Sequence, residues 1–195
     1  MARHDRTRLP AAERRRQIIT AATRLVAERG FWGLSMQDVA ADCGLTVPGL
    51  LHHVGSKDGL LIAILEHRDA EDVRALNTLL GGAAPSLPAL CTALVRRNAG
   101  QPEIVRLFAV LQAESLAPDH PAHDYFVARQ QRILSELTSL AKDVSDAPET
   151  LARRVIALMD GVQLQWLRSP GSDLPQLWAA TAGDLLWFRA PEPGP

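Results

Sequence analysis

His52, His53 and Lys57 place three nitrogen donors within six residues. An imidazole can donate to a phosphate oxygen or to N7 and O6 of guanine. An ammonium near a helix start adds its charge to the positive end of the helix dipole. The segment Thr46-Val47-Pro48-Gly49 comes just before these donors. Pro48 suits the first turn of a helix, where its missing N–H is no loss. Gly49 has no side chain to hold a polymer backbone or a thymine methyl away. Nothing in the chain pairs a nucleophile with a base in a known catalytic spacing. There is no Gly-rich phosphate loop, no Ser elbow, and no HExxH or CxxC motif. The chemistry on offer is binding rather than bond-breaking, and no cofactor is expected.

These residues need a rigid carrier. Met36, Val39, Ala40, Leu45, Leu50 and Val54 are spaced to close a corner between two short helices. The first begins at Ser35, a good N-cap, and ends near Cys43; the second runs from about Thr46 to His53. Gly44 supplies the left-handed backbone that a sharp turn needs. Ala40 lets the second helix come close, and Leu45 plugs the corner. This is a helix-turn-helix pattern, whose second helix enters the DNA major groove. Around it the sequence reads as helix throughout, punctuated by Gly and Pro. Helices are expected at about Pro10–Arg29, 56–80, 86–98, 102–117, 121–143, 148–168 and 174–188. The fold class is therefore all-α with about nine helices, without alternating strand patterns.

Residues 44–60, Gly-Leu-Thr-Val-Pro-Gly-Leu-Leu-His-His-Val-Gly-Ser-Lys-Asp-Gly-Leu, resemble the signature of the tetracycline-repressor (TetR) family. The upstream Arg-rich helix, the Gly30-Phe31 break and Ser35 match it in order and spacing. The resemblance covers about residues 12–65. It implies an N-terminal three-helix head joined to a helical ligand-binding and dimerisation body. The expected division is 1–56 for the head, 57–190 for the body and 191–195 as a disordered tail. It also implies that Val47, Pro48, Gly49, Leu51 and His53 face the groove. Thr46, His52 and Lys57 complete the expected DNA contacts, with Ser35 and Gln37 at the start of the preceding helix. Ser35 also reads simply as a cap. Leu51 departs from the pattern: the family usually carries an aromatic there, often Tyr, so a hydrogen bond to phosphate is lost.

The body supplies two further sets of candidates. Helix 148–168 is apolar nearly all round, so it must be buried on more than one side. The resemblance implies that the last two helices pair with a second copy. Val155, Met159, Val162, Trp166, Leu177, Trp178 and Leu185 are the expected interface; a deeper core within one chain is the other reading. Leu107, Phe108, Leu111, Gln112 and Ser115, with His67, Met159, Gln163 and Trp166, are the candidates for lining an effector cavity. The same stripe also reads as ordinary core. The expected partners are an operator duplex, a small organic effector and a second copy, without a membrane.

Charge is divided unevenly. Residues 1–60 carry nine Lys/Arg and six Asp/Glu, while residues 61–195 carry twelve and sixteen. The basic surplus, including Arg3, Arg6, Arg8 and Arg14–Arg16, sits at the end that would meet DNA. The acidic remainder argues against an architectural coat. No apolar run suits a signal peptide or a membrane span, and Cys43 and Cys91 lack metal spacing, so a cytoplasmic chain with reduced thiols is expected. The alternatives are a metal-sensing repressor, using Cys91 or His120-x-x-His123, and a helical enzyme. His120 and His123 read otherwise as loop histidines.

Overall fold

The computed structural model describes residues 10–81 and 85–186, the last three without their side chains. Among these residues there are nine helices and no strand. The head is built from α1 (Ala11–Arg29), α2 (Met36–Asp42) and α3 (Val47–Val54). The body comprises α4 (Lys57–Leu79), α5 (Leu87–Ala99), α6 (Pro102–Glu114), α7 (His123–Ala141), α8 (Pro148–Arg168) and α9 (Leu174–Leu186). No described helix is long and apolar enough to cross a membrane.

Local signals fix the helix starts in the head. The hydroxyl oxygens of Ser35, Thr46 and Ser56 accept from the backbone N–H groups of Asp38, Gly49 and Gly59. Each satisfies an N–H that the first helical turn leaves unpaired, a contribution of about 1 kcal/mol per cap. Pro10 occupies the N-cap of α1 with an extended backbone, one position earlier than expected. The largest departure lies after α6, which stops at Glu114 and not near residue 117. His120 N–H donates to Ala117 O, and His123 N–H to His120 O, so tight turns carry the chain into α7.

Two apolar clusters form. One joins α1, α2, α3 and the start of α4 to Leu107 and Leu111 of α6 and Phe126 of α7. The other joins α5, α7, α8 and α9. The first crosses the expected head–body boundary at residue 56, because Leu60, Leu61, Ile64 and Leu65 are buried in it. Cys43 and Cys91 are free and buried, one in each cluster.

The corner between α2 and α3 forms as its residue pattern demands. Gly44 has φ 63°, and Leu45 N–H donates to Ala40 O at 2.8 Å. Ala40 is 2% exposed, and Leu45 packs on the core. A Cβ at Gly44 would meet nothing, so a substitution there changes backbone strain alone. Gly44→Ala is expected to lower stability by about 1 kcal/mol, read from urea unfolding, without altering the helical circular dichroism of the folded state. An unchanged midpoint would mean that the turn tolerates another conformation.

Candidate nucleic-acid interface and cavity

The exposed edge of the head is α3. Leu50 and Val54 point into the core, at 0% and 9% exposure, whereas Thr46, Pro48, Leu51 and His52 are exposed. Val47, Gly49 and His53 are half-buried. This division follows the helical period: residues 50 and 54 share one side, and 48, 51 and 52 lie away from it. The rings of His52 and His53 meet edge-on at 5.6 Å. Arg15 Nη1 donates to His53 O at 3.2 Å, and Arg14 Nη1 to Cys43 O at 3.3 Å, holding α1 against both ends of the corner. Arg14 and Arg15 of the basic run on α1 therefore have a positioning role that composition alone did not reveal. Gln37 is exposed beside Ser35, whose hydroxyl donates to Gln37 Oε1 at 3.0 Å. Lys57 Nζ lies 4.5 Å from the centre of the Phe31 ring, a cation–π contact that orients it at the start of α4. Arg3, Arg6 and Arg8 lie outside the described residues.

The body holds a cavity of about 500 Å³, within the usual range for small-molecule sites. Phe108, Gln112, Met159 and Gln163 line it, as the sequence suggested. Five other candidates do not. Leu107 and Leu111 are fully buried in the head cluster, because α6 turns its 104–108–112 stripe to the cavity and its 107–111 stripe to α1. Ser115 is buried at the end of α6, its hydroxyl donating to Gln112 O at 3.0 Å. Trp166 packs on the second cluster and donates to Ser172 O at 3.2 Å. His67 is off the lining, while its neighbours Arg68 and Asp69 are on it.

Sequence reasoning missed the polar wall of this cavity, because its partners lie far apart in the chain. Asp69 accepts from Tyr125 Oη at 2.6 Å, from Arg129 Nε at 3.2 Å and from Arg132 Nη2 at 2.8 Å. Asp72 pairs with Arg68 and Arg97. Burial pulls the Arg68 guanidinium below its usual value despite Asp72, and pushes the Cys91 thiol up to about 12. Cys91 therefore stays protonated and unreactive. Asp160 differs from the other half-buried carboxylates of the wall. It has no ion pair, and its one hydrogen bond comes from Gln112 Nε2 at 3.4 Å. Burial raises its pKa, with the Gln112 bond and the charge of Arg129 opposing.

Head and body meet at a second polar contact. Glu114 Oε2 accepts from Phe31 N–H at 2.8 Å. A Cβ on Gly30 would come within 2.2 Å of Glu114 Oε1, so only glycine, at φ 70°, fits this approach. His120 is 2% exposed, and its ring meets Phe31 and Trp32 edge-on at 5.1 and 5.6 Å. Its Nδ1 accepts from Ala122 N–H, and burial holds its pKa below the usual histidine value. His123 Nδ1 donates to Ser115 O at 2.8 Å. Both histidines of the His120-x-x-His123 motif are thus engaged in the joint. Among the described residues, no three His, Cys, Asp or Glu side chains gather at metal-binding distance.

The interface candidates on α8 and α9 divide by burial. Val155, Val162 and Trp178 are 1%, 2% and 6% exposed within one chain. They fill the chain's own second cluster. Met159, Trp166 and Leu177 are half-buried against the same cluster, and the Leu185 side chain lies outside the described residues. Leu164 is 40% exposed, and a Cβ on Gly161 would meet nothing.

Residues 18–64, covering the corner and its flanking helices, match the family described as bacterial regulatory proteins, tetR family. This N-terminal segment is similar to the TetR family. It is 37% identical over 59 residues to the transcriptional activator FasR of Mycolicibacterium smegmatis. That match takes in 30% of this chain and 27% of FasR, so the chain spans about a quarter of that curated relative. The TetR likeness of the remainder lies in the fold. A TetR-family regulator of Streptomyces coelicolor, SCO4454, superposes with TM-score 0.74 at 22% identity, over 90% of this chain and 95% of its own. AibR, solved with isovaleryl coenzyme A and operator DNA, superposes with TM-score 0.67 at 24% identity, over 89% and 98%.

The Asp160 carboxylate generates a stability prediction. A carboxyl group whose pKa is raised by folding contributes stability below its unfolded value, and that contribution is lost as pH rises through the folded value. Asp160→Asn is therefore expected to raise the midpoint of thermal unfolding at pH 7 and to lose this advantage towards pH 4. A variant less stable than the parent at both pH values would show that the carboxylate is well satisfied as it stands.

Proposed function

We propose that this chain is a ligand-responsive, DNA-binding transcriptional regulator that acts as a homodimer. Its expected action is repression, relieved when a small organic effector enters the body cavity. The observation that carries this reading is the placement of α6. One stripe of α6 walls the cavity, the neighbouring stripe is buried against α1, and its last residue holds the Phe31 N–H. A ligand that favours a different seat for α6 would bias the head, by its differential affinity for the two arrangements. Helix α4 gives a second route, from Lys57 at the head to Arg68, Asp72 and Leu76 at the cavity.

The exposed face of α3 suits a major groove. Pro48, Leu51 and His52 would meet base edges or sugar, with Gly49 and His53 beside them and Thr46 at the rim. Ser35, Gln37 and Lys57 would meet phosphates. One such helix covers too little DNA for tight binding, so two heads roughly 34–36 Å apart, or a multiple, would read a palindrome. The side of α8 around Gly161, next to Leu164 at the cavity edge, is the proposed seat of the second copy. Activity as an enzyme is not part of this reading. The place of action is the cytoplasm, where the genome is. The FasR likeness keeps activation as the second regulatory sign, because that relative is named an activator.

A binding selection from random duplexes followed by footprinting tests the core claim; recovery of no preferred sequence would overturn it. Lys57→Ala is expected to weaken binding to all sequences alike and to flatten the dependence of log affinity on log salt by about one unit. An unchanged slope removes Lys57 from the phosphate contacts. Gly161→Glu is expected to shift the protein from dimer to monomer in sedimentation and to weaken operator binding with it. A variant that remains dimeric places the interface elsewhere.

A further inference from the structure

We propose that the cavity takes an organic cation: a mainly apolar molecule carrying an ammonium-type group that meets the Asp160 carboxylate. This rests on the cavity being the effector site. Its walls are largely hydrocarbon, including Leu90, Ile104, Phe108, Ile133, Ile156 and Met159. Within those walls Asp69 and Asp72 are each shared by two arginines, and Asp160 has no ion pair. Arg129 is held by Asp69 and also lies 4.8 Å from the centre of the Phe108 ring. Arg68 is held by Asp72. The additional cations of these arrays sit further out, Arg132 being half exposed and Arg97 sharing Asp72. Glu136 is on the exposed side of α7. Asp160 is half-buried on the lining and makes no ion pair; the charge of Arg129 acts on it only from a distance.

A half-buried carboxylate is poorly compensated by a single amide bond at 3.4 Å. A ligand cation would supply the missing charge and donate to Asp160 in the same step. A hard metal ion is a poorer match, because it needs several oxygens and the neighbouring carboxylates are already committed to arginines. The competing chemistry is an anion drawn to Arg68, whose buried Nε has no hydrogen-bond acceptor. Asp160 outweighs it because Arg68 is directly paired with Asp72, whereas Asp160 has no direct ion pair.

The test uses the full chain and three matched probes: naphthylmethylamine, naphthylmethanol and naphthoate. Isothermal titration is expected to show the amine bound about tenfold or more tighter than the alcohol, with the carboxylate weakest. Asp160→Asn is expected to abolish the preference for the amine and to leave the affinity for the alcohol in place, which separates loss of charge from loss of fold. Tighter binding of naphthoate, an undiminished amine preference in Asp160→Asn, or failure of all three probes to bind overturns the proposal. Ala109→Trp, which fills the cavity, tells the two levels apart. If it abolishes alcohol binding while the amine shows no advantage in the parent, the cavity reading stands and the cation falls. If it leaves all affinities unchanged, the cavity reading falls too, and this inference with it.

Discussion

The structure turns on the seat of α6 against α1. Leu107 and Leu111 are fully buried in the head cluster, and Glu114 accepts the Phe31 N–H just beyond them. Apolar burial supplies the affinity of this contact, at about 25 cal/mol per Å² removed from water. The carboxylate supplies its register, because a hydrogen bond has a direction that dispersion lacks. Gly30 is the steric condition for it. A head attached in this way is not a bead on a linker. It shares its core with the helix that walls the cavity, and packed cores switch between arrangements more readily than they deform smoothly.

The two ends of the molecule handle polarity in opposite ways. The face of α3 leaves its polar groups to solvent, where another molecule can take them up. The cavity brings charge inside and satisfies most of it internally, in the Asp69 and Asp72 arrays. These arrays hold α4, α5 and α7 in register through charge-assisted bonds. Asp160, on α8, stands outside them. The joint adds a third device, a buried neutral histidine, His120, packed edge-on against Phe31 and Trp32.

The head was legible in the sequence because its information is local. Ser35, Thr46 and Ser56 cap within three residues, Gly44 turns within one, and the corner closes over twenty. The body was legible only as a series of helices. Its apolar stripes were visible on α6 and α8, yet which stripe faced the cavity was not. Residues 107 and 108 are neighbours in sequence and equally apolar, but one fills the head core and the other walls the cavity. Polar lining residues such as Arg68 and Asp69 were passed over for His67, since a charged pair on a helix usually reads as a wet face.

By itself, then, the sequence determined the all-helical class, the caps and breaks, and the corner with its outward α3 face, since each depends on interactions between residues a few positions apart. Tertiary structure decided which side of α6 meets α1, which aspartate is left without an ion pair, and which apolar residues of α8 are consumed by the chain's own core. Those outcomes depend on contacts between helices distant in sequence. A helical period fixes that a face exists, but only packing assigns it a neighbour.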